Sequence, residues 1–522
     1  MEPRNSLLSF RRGVQLDGRL LPYLDSVSAA NVSQAATQAV VHFRASGRSQ
    51  AADGSAEAIR HIAREFHNQA GTLTPAVAAA IASLGPSQLR LRFSHQINLF
   101  PSLGIFAQFP TLASIAHQLA LIGVPKSAEI YVYVDYDVAS DARFKSAQFP
   151  TLNSHQGIIP ITGVVSHREL TRPMYAVPKP TRQAVDRWID MLSSRSKADS
   201  KSISKLLPRG MSARRPHLDL LKSLLLRAFE ASDTLATFNA TFTSIVCNEI
   251  WGYRTIFLPG TLLQSTFAPG YLLLLEQEDE IKAHWNDAIA FFQSTGINIR
   301  ARAFGVSDAL LWWNCPRCLV RVPFSRAAER PPTYLAICPH CRNEIRASLE
   351  KIIRIIHDEP GRITPRIILD DLLDYISLGM SGGSGYIGAI EHRLLSNFVA
   401  TKLGILAAPE LLWSPSAISL GPVESFMAND PSVTADAHPN VGVAMDWLLR
   451  GRVTILYYML YVGLDATKRA LEQFLNASRV DERFIIGGCG TPDELATAGV
   501  LSHAFCVGAE TDFIQGKKSH EH

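Results

Sequence analysis

The chain lacks the marks of several large protein classes. Its start, MEPRNSLLSFRRG, has no apolar run long enough for a secretory signal. Its most apolar stretch, VTILYYMLYVGL at 453–464, is about half of a membrane span and reads as a buried helix or strand. No internal repeat is visible, which argues against a solenoid or propeller. The P-loop pattern does not occur. A net charge of +4 does not demand a nucleic-acid partner. The seven cysteines are an odd number, and four of them form two CxxC pairs. That usage fits reduced thiols in a cytosolic protein better than a disulfide framework. The expectation is a cytoplasmic protein with no membrane partner.

What is present can fold. At 522 residues the chain exceeds one ordinary domain, and 47% apolar against 19% charged residues is enough to bury sizeable cores. Residues 1–85 carry Ala-rich stretches with helical spacing, such as SAEAIRHIAREFHNQA, and read as a helical N-terminal region. At 88–137 the pattern changes. QLRLRF alternates, with Leu89, Leu91 and Phe93 on one face. GIFAQFPTLASIAHQLALIG has helical periodicity, with Pro110 marking a kink or restart. AEIYVYVDYD is β-rich and ends in acids. Strand, helix, strand is a βαβ unit and predicts a parallel sheet.

The β/α rhythm returns at 361–465, after a connecting region at 166–360. The simplest assembly is one open parallel sheet, begun at 86–165 and split by an insertion. Within the insertion, the Ser-rich basic stretch 193–215 reads as a mobile surface loop, or as an arm that closes over an anion. The C-terminal region 466–522 includes VDERFIIGGCGTPDELATAG, which reads as strand, turn and helix.

The strongest motif is WWNCPRCLVRVPFSRAAERPPTYLAICPHCRNE. It pairs Cys315 and Cys318 with Cys338 and Cys341 in a C-x2-C, C-x2-C pattern. Four thiolates complete a tetrahedral Zn²⁺ shell and leave no position for water, so the spacing predicts a structural zinc ribbon at 312–345. His340, inside a knuckle, is the one alternative ligand. Arg317, Arg321, Arg326, Arg330 and Arg342 read as solvated, although a zinc ribbon can also bind nucleic acid.

Three polar clusters lie where a parallel sheet places its ligands, beyond the carboxyl ends of strands. In FSHQINLFPSLG, His95, Gln96 and Asn98 leave a strand, and Ser102 and Gly104 turn into a helix. In VDYDVASDARF, Asp135 and Asp137 project to one side if the segment is extended. They suit a cation, an amine or base chemistry, with Arg143 following for an anion. In GMSGGSGYIG, Ser381, Gly382, Gly383, Ser384 and Tyr386 form a glycine loop before a helix, open to close approach by an anion.

Taken together, SHQINLFPSLGIFAQFPTLASIAHQLA, EIYVYVDYDVASDARF and LLDYISLGMSGGSGYIGAIEH resemble motifs of the bacillithiol-synthesis cysteine-adding enzymes. The paired CxxC module is not part of that family's core. The resemblance implies an α/β protein with a Rossmann-like parallel sheet, related to class I aminoacyl-tRNA synthetases. That sheet would be split by an inserted helical region with a zinc ribbon. It implies a ligase joining an amino acid, cysteine in the family, to a small carboxylate acceptor. His95, Asp135 and Asp137 are then the expected catalytic residues. Gln96, Asn98, Ser102, Gly104, Arg143 and the Ser381–Tyr386 loop are expected to bind substrate. Two alternatives stand beside it: a class I synthetase-like nucleotidyl transferase acting with ATP, or another nucleotide, or with tRNA, and a non-catalytic zinc-ribbon protein that binds nucleic acid.

Overall fold

The computed structural model describes residue 19 and residues 32–45, 53–85, 88–124, 127–140, 144, 146–151, 153–162, 165–206, 217–295, 299, 301–327, 331–375, 380–383, 387–406, 410–411, 454–461 and 463–476. Its strands, in chain order, are β1 (Leu89–Gln96), β2 (Ser127–Val134), β3 (Ala147–Pro150), β4 (Ile158–Ile161), β5 (Ile256–Pro259) and β6 (Asp308–Asn314). They continue with β7 (Arg321–Arg326), β8 (Thr333–Ile337), β9 (Glu344–Ser348), β10 (Ile363–Pro365), β11 (Met380–Gly383) and β12 (Glu410–Leu411).

The fold is mixed α/β around a five-stranded sheet in the order β12–β11–β1–β2–β5. Every adjacent pair in it is parallel. The period of two decides which face each side chain joins. Leu89, Leu91, Phe93, Tyr131, Tyr133 and Phe257 enter one core. Ala128, Ile130, Val132, Ile256 and Leu258 enter another on the opposite face. Both faces are therefore covered, as a parallel sheet requires.

The connections sort by face. The helix Gln108–Leu121, between β1 and β2, packs into the first core through Phe109, Leu112, Ile115 and Leu119. So do Arg182–Leu206, Leu218–Glu230 and Leu235–Ser244, between β2 and β5. The helices from Gly260 to Leu373, between β5 and β11, contribute to the second core, as does Ile387–Lys402 between β11 and β12.

The four cysteines belong to a second sheet, antiparallel, in the order β10–β6–β7–β8–β9. It does not stand apart. Leu310, Trp313, Phe324 and Tyr334 join the second core. Buried Glu278 ties the sheet down by accepting from the Leu310 amide at 2.5 Å and the Tyr334 hydroxyl at 2.8 Å.

Several sequence expectations need adjustment. The region 166–360 supplies β5, so it contributes to the central sheet as well as interrupting it. The Ser-rich stretch expected as a loop is helical as far as Leu206. Its polarity misleads because the buried stripe is itself partly polar: Leu192, Ser196 and Asp199 are buried at helical spacing. Asp199 accepts from Thr151 at 2.8 Å and from Asn153 at 2.7 Å. Residues 207–216 lie outside the described residues, as does the expected strand and turn after 477. The N-terminal region does carry helices, at Val32–Ala45, Asp53–Ala70 and Pro75–Ser83. The apolar run near 453–464 is a buried helix, Ile455–Tyr461.

β5 is the last strand of its sheet, and one buried side chain satisfies its outer edge. His67 Nε2 accepts from the Phe257 amide at 3.1 Å. Its Nδ1 therefore carries the proton and donates to Thr72 Oγ1 at 2.8 Å. Thr72 Oγ1 in turn lies 2.8 Å from Ser244 Oγ. Burial pulls the His67 pKa down to about 3. Below the ordinary imidazole value the unfolded chain takes up a proton that the folded chain refuses, so this contribution to stability is lost as pH falls from 6.5 towards 3. Asp135 and Asp370 act in the opposite sense, since burial raises each to about 6. His67→Leu removes the acceptor for Phe257, and we expect a loss of about 1–3 kcal/mol at neutral pH. Urea melts of both proteins should show the gap narrowing below pH 6.5, because only the wild type carries the titrating ring; a gap that is constant with pH would refute this role.

Candidate functional site

β1 and β2 run side by side to their carboxyl ends, with His95 opposite Tyr133 and Gln96 opposite Val134. Past Val134 the chain bends, and the period of two no longer applies. The two aspartates diverge as a result. Asp135 is buried, and both its oxygens are taken by Thr261: the amide at 2.9 Å and the hydroxyl at 2.7 Å. It ties the end of β2 to the helix that follows β5. Asp137 is partly exposed, and its Oδ2 accepts from Gln96 Nε2 at 2.7 Å. The expectation that both carboxylates project to one side is corrected accordingly.

The other groups of FSHQINLFPSLG divide. His95 is half-buried, and its Nδ1 bonds the Gln96 carbonyl at 2.7 Å. Asp135 turns to Thr261 and Asp137 to Gln96, so the expected catalytic residues are held by different partners. The Asn98 amide donates to the Gln96 carbonyl at 3.0 Å, and its side-chain Oδ1 is buried without a partner among the described residues. Phe100 holds a left-handed backbone, φ 48°, which is costly for a bulky residue. The surrounding aromatic cluster of Trp188, Phe238 and Phe242 over-determines it. Ser102 caps the short helix Leu103–Phe106, which holds Gly104, and the chain entering it is clamped from behind: Thr454 Oγ1 donates to the Phe100 carbonyl at 2.9 Å, and the Ile455 amide to that of Pro101 at 2.9 Å.

A third carboxylate was not expected here. Asp370 is buried below the end of β2 and accepts from Tyr136 at 2.7 Å, Tyr271 at 2.5 Å and Gln264 at 3.1 Å. Burial raises its pKa to about 6. Nearby, Arg92 on β1 makes an ion pair with Asp374, both side chains being less than a tenth exposed. No spacing rule joins positions 92, 136, 271 and 370; their proximity follows from the sheet order alone.

The cysteine sheet supplies the cation. Arg321 Nη1 lies 3.7 Å from Asp137 Oδ1. Its Nη2 donates to Thr364 at 3.2 Å, and its guanidinium lies over Trp312 at 5.0 Å. Arg321 was expected to be solvated; only 12% of its side chain is exposed. Burial lowers its pKa, and Asp137 opposes that shift.

Next to it, the two cysteine knuckles have the same form. The Leu319 amide donates to the Cys315 carbonyl at 2.8 Å, and the Arg342 amide to that of Cys338 at 3.0 Å. Leu319 and Arg342, each following the second cysteine of its pair, are both left-handed, φ 60° and 57°. The four sulfurs lie within 4.8 Å of one another and could hold a metal ion such as zinc. The contacts of 3.3 to 3.7 Å between them compare with about 3.8 Å for four sulfurs around tetrahedral zinc.

The glycine motif differs from expectation in kind. Ser381, Gly382 and Gly383 lie within β11 itself, with Gly382 opposite Arg92. The loop proper, with Ser384 and Tyr386, is outside the described residues, as is Arg143. Comparison with known protein families and with curated proteins finds no match to this chain.

Gly260 is the residue on which the packing at the end of β2 turns. A Cβ there would lie 2.6 Å from the Tyr136 ring and 3.4 Å from Asp135 Oδ1. Gly260→Ala should displace Tyr136 from Asp370 and cost about 1–3 kcal/mol, read from denaturant midpoints. An unchanged midpoint would mean that the ring moves aside freely.

Proposed function

We propose that the protein is an amide-forming ligase that joins an amino acid to a small carboxylate-bearing acceptor. The observation that carries this reading is the strand order. Taken from β5, the sheet runs β5–β2–β1–β11–β12. The chain moves outward from β1 on one side with its connections over one face, then crosses to the other side with its connections over the opposite face. That winding supports a Rossmann-like reading of the sheet, and the reversal falls between β1 and β11. Open parallel sheets bind ligands in the crevice outside the strand ends at such a reversal. His95, Gln96 and Asn98 leave β1 there, and Gly382 and Gly383 close β11 beside it. The resemblance to amino-acid-adding enzymes falls on the same segments.

The roles follow from the groups. Gly382 and Gly383 carry no Cβ, so their backbone can approach a phosphate or carboxylate closely. His95 stabilises charge developing on the acyl oxygen. Asp137 receives the amine, because the oxygens of Asp135 are already taken by Thr261. Condensing a free carboxylate with an amine expels water, so an activating nucleotide such as ATP belongs to the proposal. Holding both substrates at the strand ends supplies much of the rate through proximity.

The four cysteines fit zinc in a supporting role: a shell of four thiolates is closed to substrate. Purified protein should hold about one zinc per chain, measured by elemental analysis. Cys338→Ser should release it and lower the melting temperature; a folded, metal-free variant of normal stability would sink the structural role.

The ligase reading is tested by mass spectrometry after incubation with ATP, amino acids and small carboxylic acids. An amide product and nucleotide consumption that depends on the amino acid are expected; consumption without an amide refutes it. His95→Ala should then lose about a hundredfold to a thousandfold in turnover. His95→Gln keeps a donor but exchanges no proton near neutral pH, so recovery there assigns positioning and no recovery assigns proton transfer. Normal turnover in His95→Ala removes the residue from the chemistry.

A further inference from the structure

We propose that Asp137 and Arg321 form a clamp for the zwitterionic head of a free α-amino acid. The ligase reading explains why an amino acid would be bound; the clamp itself rests on the geometry between β2 and the cysteine sheet.

The two charges face each other without closing. Their 3.7 Å separation exceeds the roughly 2.7–2.9 Å of a charge-assisted hydrogen bond. Each is held in place by other groups. Gln96 Nε2 fixes Asp137 Oδ2 at 2.7 Å, while Thr364 and Trp312 fix the guanidinium. Asp137 retains 28% exposure and Arg321 12%, so the pair lies at the margin of the fold and not deep within it.

Two atoms of this arrangement lack a partner among the described residues. Gln96 Oε1, on the amide that bonds Asp137, is a buried acceptor with no hydrogen bond among the described residues, and Arg321 Nε is a buried donor with none among them. Such atoms cost free energy until something satisfies them. One ligand class offers both signs on adjacent atoms. An α-amino acid carries an ammonium, with three donors, and a carboxylate, with acceptors suited to a guanidinium, on a single carbon. The ammonium would sit against Asp137, on the side of the Gln96 amide, and the carboxylate against Arg321. A purely structural ion pair would account for the proximity of the charges, but not for an acceptor left over beside Asp137 and a donor left over on Arg321.

The discriminating property is the need for both poles. A site built to bond two groups rejects a ligand that lacks one, because its own polar atoms are left unpaired. Calorimetry on the full chain would titrate each proteinogenic amino acid singly, without nucleotide. For any that binds, the matching amine without its carboxylate and the acid without its amine follow. We expect at least one amino acid to bind at millimolar concentration or below, and both truncated analogues to bind at least tenfold more weakly. Asp137→Asn should weaken the amino acid about tenfold to a hundredfold while leaving the amine-free acid unchanged. Arg321→Gln should do the same while leaving the carboxylate-free amine unchanged.

The proposal is overturned if no amino acid binds, or if the variants lower the melting temperature without changing the preference for the zwitterion. Should a variant not fold, the analogue comparison on the wild type decides alone. Amide formation with an unaltered preference in Asp137→Asn would refute the clamp and leave the ligase reading standing. Discrimination for the zwitterion without any amide product would do the reverse.

Discussion

Arg92 lies in β1 with strands on both sides and a core over each face, and a guanidinium in that position must have a partner. Asp374 is that partner. Leaving one member of such a buried pair alone costs about 3–5 kcal/mol, a large part of an ordinary domain's stability. The requirement fixes more than one contact. Asp374 closes the turn after the helix Ile367–Leu373, and that helix also carries Asp370 beneath Tyr136 and Asp371, which accepts from Ser396 at 2.6 Å. The same segment leads into β11, which pairs with β1 opposite Arg92. One ion pair thus sets where the second half of the chain returns to the first.

The carboxyl end of β2 shows the same logic at closer range. Asp135 reaches sideways to Thr261 and joins β2 to the helix after β5. Tyr136 reaches down to Asp370. Asp137 turns to Gln96 of β1 and towards Arg321 of the cysteine sheet. Three consecutive residues address three different parts of the chain, which is why the extended geometry ends at Val134.

The cysteine sheet is therefore continuous with the site. The Cys315 amide donates to the Val320 carbonyl at 3.0 Å, and Arg321 is the next residue. The knuckle that gathers the thiolates also sets the chain from which Arg321 reaches Asp137. The buried Glu278 and the apolar face of β6 hold that sheet against the second core. The four-cysteine cluster and the charge at the strand ends are linked by a short stretch of backbone.

Much of this was legible in the residues alone. The alternation of Leu89, Leu91 and Phe93, the β-rich run before Asp135 and the helical spacing between them identified a parallel unit. They did so because side-chain period is a local property of the backbone. The two CxxC pairs identified the four-cysteine cluster for the same reason, since each knuckle is made within a few residues. The Ser-rich helix to Leu206 was missed because its buried stripe includes Ser196 and Asp199, and polar burial leaves no hydrophobic period to read. β5 was missed because four residues, Ile256–Pro259, are too short to show a period at all. The glycines of β11 looked like a loop because their pairing partners, Arg92 and Glu410, lie far off in the chain. By itself, then, the sequence determined the local elements, the sulfur cluster and the polar character of the β1 and β2 ends. Only the tertiary structure decided that Arg321 meets Asp137, that Asp370 lies under Tyr136 and that Asp135 is occupied by Thr261. Those contacts join segments over a hundred positions apart, and a buried charge chooses its partner by where the whole sheet brings the chain, not by what stands beside it in the sequence.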